Sequence, residues 1–260
     1  MRLSSIFMPF FTFLAGAAGF YLRLTELMNV FDASTGLPRR GAGITYALIA
    51  LSVVFLIIVL VFAIRATTKY KAQSGFENAF GTDPVAYPIA FSVIGLVWLA
   101  ATVKYFFDLN MPWPIPVVDM IFITLSVLSA FSMALFAIEM YQDPFRKSKF
   151  VLSIVPSMFT CFWLIVLYRQ NASNPILLSY CYQCLAIITS ALGFYFTSGF
   201  VYNKPAPGKA IFSYFAAAYF CFVTLADKHT LSIRFIFAIF IVINFVQASM
   251  LIRNLRRNNA

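Results

Sequence analysis

Residues 44–64 read ITYALIALSVVFLIIVLVFAI, an apolar run without a single charged side chain, and Arg65 closes it. A bilayer's hydrocarbon core is roughly 30 Å thick, so a helix rising ~1.5 Å per residue needs ~20 apolar residues to cross it. The run meets that requirement by itself. Outward from it the same rhythm recurs, at about 5–22, 87–107, 117–140, 150–168, 175–196, 209–226 and 231–252. The run at 209–226 is the weakest, because Ser213, Tyr214 and Thr224 dilute it. The sequence therefore predicts an all-α, polytopic transmembrane helical bundle of about eight spans. Residues 1–260 form a single integral-membrane domain, and no break is long enough for a soluble one.

The breaks carry the residues that end helices. Asp83-Pro84, Asp143-Pro144 and Asn174-Pro175 precede runs, and Met111-Pro112-Trp113-Pro114-Ile115-Pro116 is a proline-rich turn. Proline lacks the amide donor and restricts the residue before it. Pro156 lies inside the fifth run, where it should kink the helix, a feature that membrane helices tolerate. The longest breaks, 23–43 and 65–86, hold about twenty residues each. In the first, Phe31-Asp32-Ala33-Ser34-Thr35-Gly36-Leu37-Pro38 reads as a structured turn packed by Phe31 and Leu37.

The formal charge of +10 comes from 19 lysines and arginines against 9 acidic residues. In a soluble chain that excess would suggest nucleic acid. Here no basic-aromatic alternation accompanies it, and the partner it implies is the lipid bilayer with its anionic headgroups. Eight spans put twelve of the 19 basic residues on the side of the chain ends, among them Arg65, Lys209 and Arg253, and seven on the other. The positive-inside bias then places both termini in the cytoplasm. The location expected is a cell membrane, on loop compactness a bacterial plasma membrane. The first run has a rival reading as a cleaved signal peptide ending near Ala15-Gly16-Ala17, but apolar character continues through Leu22. No internal repeat of the transporter kind is visible.

Charge inside hydrocarbon costs at least ~2.5 kcal/mol at the centre of a span, and no Asp, Glu, Lys or Arg falls near the middle of any run. Lys104 and Asp108, at i,i+4 spacing, share a face near the outer end of the third run and can pair. Asp119 opens the fourth run at the same level, and Asp227 and Arg234 flank the start of the eighth. Lys104, Asp108, Asp119, Asp227 and Arg234 are the candidate ligand-binding residues, an outward-facing polar rim. The plain alternative is interfacial anchoring, with long side chains snorkelling to headgroups. At the inner end of the fourth run, Glu139, Tyr141, Gln142, Asp143, Arg146 and Lys147 read as an ion-paired turn or a contact for a cytoplasmic partner.

Catalytic and metal sets are not found. His229 is the sole histidine, so there is no HExxH zinc motif, and no Gly-x-Ser-x-Gly elbow occurs. Cys181-Tyr182-Gln183-Cys184 is a CxxC placed two to three turns inside the sixth run, and reads as core packing. Gln183, Asn244 and Gln247 read as hydrogen-bonding links between helices. No cofactor is implied. Three functions follow in order: a small-solute transporter or permease-type component; a non-catalytic scaffold, assembly or sensor partner; and last, a lipid-modifying enzyme. A filled core would favour the second over the first.

Overall fold

The structure is a computed structural model that describes residues 4–32, 37–39, 41–71, 76–81, 86–108, 116–142, 148–174 and 176–257. Among these residues the chain forms α1 (Ser4–Asn29), α2 (Gly43–Lys69), a one-turn α3 (Phe76–Phe80), α4 (Ala86–Asp108), α5 (Val117–Gln142), α6 (Ser148–Asn171), α7 (Cys181–Val201), α8 (Pro207–Thr224) and α9 (Leu231–Asn254). Seven of them are long and apolar enough to cross a membrane. The protein is a multi-pass helical membrane bundle, as the apolar rhythm predicts.

α8, the run read as weakest, is the long helix outside those seven. Its 18 residues span about 27 Å. It lies against α1, α2, α7 and α9, and 13 of its residues are buried, including all of Ala216-Ala217-Ala218. A helix whose neighbours are helices has little need of lipid-like side chains. Its hydroxyls meet protein instead: Tyr219 shares a 2.9 Å hydrogen bond with Ser52 of α2, and Tyr214 a 2.7 Å one with Thr197 of α7.

The ends of the helices fix the direction of the bundle. Tyr70–Lys71, following α2, pairs antiparallel with Arg256–Arg257, following α9. Asn254 of α9 donates to the carbonyls of Ala79 and Gly81 beside α3. Gly208, at the start of α8, abuts Thr67 near the end of α2. These contacts define one end, here the basic end. The end of α1, the start of α2 and the α8–α9 turn meet at the opposite, far end.

In lipid there is no hydrophobic drive between helices, so association rests on close packing and interhelical hydrogen bonds. Both are present. Gly16 and Gly19 of α1 face Phe222, Val223 and Tyr219 of α8, so α1 is built into the bundle. Gly95 of α4 sits against the Ala130 backbone of α5, where Trp98 and Thr102 both bond Ser126. A column of rings, Trp98, Phe122, Phe159, Trp163, Phe194 and Phe240, ties α4, α5, α6, α7 and α9 together at centroid separations of 5.2–6.4 Å.

Three expected boundaries shift. α1 runs on to Asn29 instead of stopping at residue 22, because its charged residues have partners inside the protein. The break after residue 64 shortens, because α2 continues to Lys69 and α3 follows. The sixth span begins at Cys181, not at 175. Asn174 accepts from the Ile176 amide and donates to Ser179 Oγ, holding a 3₁₀ turn over Leu177–Ser179 that delays the helix. The CxxC is thereby corrected as well: Cys181 is the first residue of α7 and not a residue two turns deep.

Candidate functional site

The sequence of α1 places Arg23 and Glu26 three residues apart, hence on one face. Both side chains are completely buried, and Arg23 Nη1 donates to Glu26 Oε2 at 2.7 Å. Arg23 Nε donates to Asp227 Oδ1 at 2.7 Å, reaching the turn between α8 and α9. Arg23 Nη2 donates to the Ser179 carbonyl at 3.1 Å, reaching the 3₁₀ turn before α7. The second oxygen of Glu26 accepts from Thr45 Oγ1 of α2 at 2.7 Å. The guanidinium carbon also lies 5.2 Å from the Tyr182 ring and 6.0 Å from that of Phe31. One cation therefore holds the far ends of α1, α2, α7 and α8 together.

The α8–α9 turn is shaped to present Asp227. Its amide donates to Thr224 O, and its carbonyl accepts from the His229 amide and from Arg234 Nη2. Arg234 thus steadies the backbone of the residue whose carboxylate meets Arg23. Asp227 Oδ2 and His229 Nε2 face one another at 3.9 Å, too far for a hydrogen bond. Both atoms are buried without a hydrogen-bond partner. Burial pushes Asp227 up to about 6, against the pull of the Arg23 charge and hydrogen bond and with the help of Glu26. Burial pushes His229 down to about 4, with Arg234 and Arg23 acting in the same direction. At neutral pH His229 is uncharged, and the Arg23 guanidinium is shared between Asp227 and Glu26.

The expected rim is only partly assembled. Asp227 and Arg234 meet directly. Lys104 and Asp108 pair at 3.1 Å in a half-exposed setting, as their spacing predicts. Asp119 lies near Tyr105 in the α4–α5 contact, away from Arg23. Arg23 and Glu26 form the centre of the site and were read from sequence as the start of a loop. The available signal was the Arg23-x-x-Glu26 spacing within a segment still rich in Leu22, Leu24, Leu27 and Met28. In the first break, Phe31 and Pro38 form a backbone bridge. Leu37 is about half exposed, and its carbonyl accepts from the Asp32 amide at 3.0 Å, while residues 33–36 lie outside the described residues. So do 143–147 of the inner polar cluster.

A second polar group lies toward the basic end. Thr197 Oγ1 donates to Gln247 Oε1 at 3.0 Å and shares a hydrogen bond with Tyr214, joining α7, α8 and α9. Gln247 is the interhelical link read from sequence. Asn244 donates to the Phe240 carbonyl of its own helix. Beside Thr197 and Gln247 is a small enclosed cavity that is also lined by Tyr87, whose buried hydroxyl has no hydrogen-bond partner. A water centre has about 10 Å³ there, the room of one water molecule.

Neither group resembles a metal or covalent-catalysis site. Among the described residues no three of His, Cys, Asp and Glu cluster as metal ligands, and the Arg23 charge beside Asp227 opposes a bound cation. The far-end group can bind and release protons, and it can hold four helix ends in register. No family model matches the chain, and comparisons with curated proteins and with solved structures gave no match.

Proposed function

We propose that this protein is a non-catalytic membrane partner, a scaffold or sensor subunit that works through contact with another membrane protein. The observation that carries the reading is that the interior is filled among the described residues. α8 occupies the middle of the bundle, and the polar side chains of α4, α7 and α9 converge on space for a single water molecule. Ligand sites usually offer roughly 300–1,000 Å³. Charge buried in a membrane helix commonly marks function, and the Arg23–Glu26–Asp227 group supports a role in setting the arrangement of helix ends. In this reading Arg234, Lys104 and Asp108 border that group, and Asp119 contributes to the same outer surface. On the same reading the basic end faces the cytoplasm, which the distribution of lysine and arginine supports, and the membrane is a bacterial plasma membrane, which the compact loops with their basic inner turns support.

Small-solute transport is the second reading. What favours it is the convergence of Tyr87, Thr197 and Gln247 from separate helices on one interior point, as a closed transport path would require.

Photoreactive side chains at the lipid-facing positions Phe10, Val54 and Leu96 test the choice in living cells. A discrete adduct of fixed mass from one face, with no saturable uptake of small neutral solutes into proteoliposomes, is the expected result. Saturable uptake without any adduct would overturn the partner reading in favour of transport.

A further inference from the structure

Between α2 and α7, α8 forms the floor of an apolar groove of about 360 Å³. Leu60 and Ile64 of α2 form one wall, and Leu192 and Phe196 of α7 the other, with Phe212 beneath. Leu60, Ile64 and Leu192 are roughly half exposed, so the groove opens toward lipid and not into the bundle. The hydroxyls along it are satisfied locally: Thr67 donates to the Ala63 carbonyl and Ser213 to the Lys209 carbonyl. The surface offered is therefore hydrocarbon.

The groove has a polar end. At the basic end Gly208 brings α8 against Thr67 of α2, where a Cβ would come within 3.0 Å of the Thr67 methyl. That contact ends the groove on this side, and Lys209, exposed, lines it there. Among the described residues no acidic side chain lines it. Leu60 to Thr67 covers about 10 Å along α2, enough for the headgroup-proximal part of one acyl chain. A volume near the lower limit of ligand pockets suits one chain rather than two.

We infer that this groove is a binding site for an anionic phospholipid, with one acyl chain between α2 and α7 and the headgroup phosphate on Lys209. The charge selects the headgroup: a lysine at a membrane surface, with no carboxylate among the described residues that line the groove, favours a net-negative lipid, by about fivefold for one such contact. The groove selects the site, because it fixes a chain beside that lysine.

Native mass spectrometry of the detergent-purified full chain tests this, with phosphatidylglycerol and phosphatidylcholine of identical chains as probes. Phosphatidylglycerol should bind one per protein, about fivefold more tightly than phosphatidylcholine. Lys209→Gln should remove that preference while leaving phosphatidylcholine binding unchanged. Leu192→Trp, which fills a lipid-facing wall, should weaken both lipids, whereas Lys228→Gln at the far end should change neither. Equal affinities for the two lipids in the unaltered protein would overturn the proposal. So would a preference that survives Lys209→Gln, or binding indifferent to Leu192→Trp.

Discussion

Arg23 and Asp227 lie 204 residues apart in sequence and meet through a 2.7 Å Nε–H···Oδ1 bond, with both side chains sealed from solvent. The contact closes the bundle at its far end, because α1 and the α8–α9 turn are brought together only when the intervening helices are in place. Breaking a buried pair from one side is expensive, since the remaining charge is left without compensation. Arg23→Leu leaves Glu26 and Asp227 without their shared cation and should cost about 3–5 kcal/mol. Asp227→Asn should cost less, because Arg23 keeps Glu26 and the amide oxygen still accepts. With Arg23→Leu and Asp227→Leu as the two single variants, the double variant Arg23→Leu/Asp227→Leu should be more stable than the sum of their losses by ~0.5–3 kcal/mol. Unfolding in bicelles measures the cycle, and strict additivity would show that the two residues are not coupled.

The turn carrying Asp227 and His229 predicts two opposing pH effects. The folded state raises Asp227 to about 6, so it favours the protonated form; that stabilisation is present below the ordinary carboxylate value and is lost as pH rises toward 6. The folded state lowers His229 to about 4, so unfolding takes up a proton below about 6.5; its contribution is lost as pH falls from 6.5 toward 4. Each shift is worth on the order of 2–3 kcal/mol. The unaltered protein should therefore show a nearly flat melting temperature between pH 4 and 6.5. Asp227→Asn should grow more stable as pH rises across that window, and His229→Gln less stable. Parallel slopes in the two variants would refute the assignment.

Close helix approaches make a graded prediction. A Cβ on Gly95 would come within 2.7 Å of the Ala130 carbonyl oxygen, and backbone cannot swing aside. Gly95→Ala should destabilise by roughly 1–3 kcal/mol. Gly16→Ala meets the Phe222 ring and its Cβ at 2.6–2.9 Å and should be costly too, though the ring can turn a little. Gly43→Ala meets nothing within 4 Å and should change stability little. Thermal melts of the three variants would expose a misplaced α4–α5 or α1–α8 contact if Gly95→Ala behaved like Gly43→Ala.

The interior polar group separates a used hydroxyl from an unused one. Thr197→Val breaks the bonds to Tyr214 and Gln247 and should cost ~0.6–1.7 kcal/mol, the range for such bonds between membrane helices. Tyr87→Phe removes a buried hydroxyl with no partner and should be neutral or stabilising. A large loss from Tyr87→Phe, read by the same melts, would mean that this hydroxyl makes an essential bond.

Much of the fold was legible because hydrocarbon length is a property of local sequence. Residues 44–64 announce α2 without help from any other segment. What was not legible depends on partners. Arg23 and Glu26 read as loop because hydropathy counts a charge the same whether or not Asp227 neutralises it. α8 read as weak because Ser213, Tyr214 and Thr224 count as polar in sequence, although all three are buried among helices and the first two are hydrogen-bonded there. The entry to α7 moved because Asn174 binds the Ile176 amide, a local bond that apolar periodicity does not register. Of the rim residues, Lys104–Asp108 could be read from i,i+4 spacing. The meeting of Asp227 with α1 could not, since nothing in either segment encodes the distance between them.

The central claim is that the bundle interior, among the described residues, is filled around Thr197 and Gln247 and offers no aqueous path through them. Cysteine accessibility tests it most directly. Ser153→Cys and Thr197→Cys, both at the interior cavity, would be made in a background with the four native cysteines replaced and exposed in sealed vesicles to an impermeant methanethiosulfonate from each side in turn. Neither position should react from either side until the protein is unfolded, while Lys228→Cys, on the surface, reacts at once. Labelling of Ser153→Cys or Thr197→Cys in the native protein, from one side and faster with added solute, would contradict the claim and place an aqueous path where the account has none.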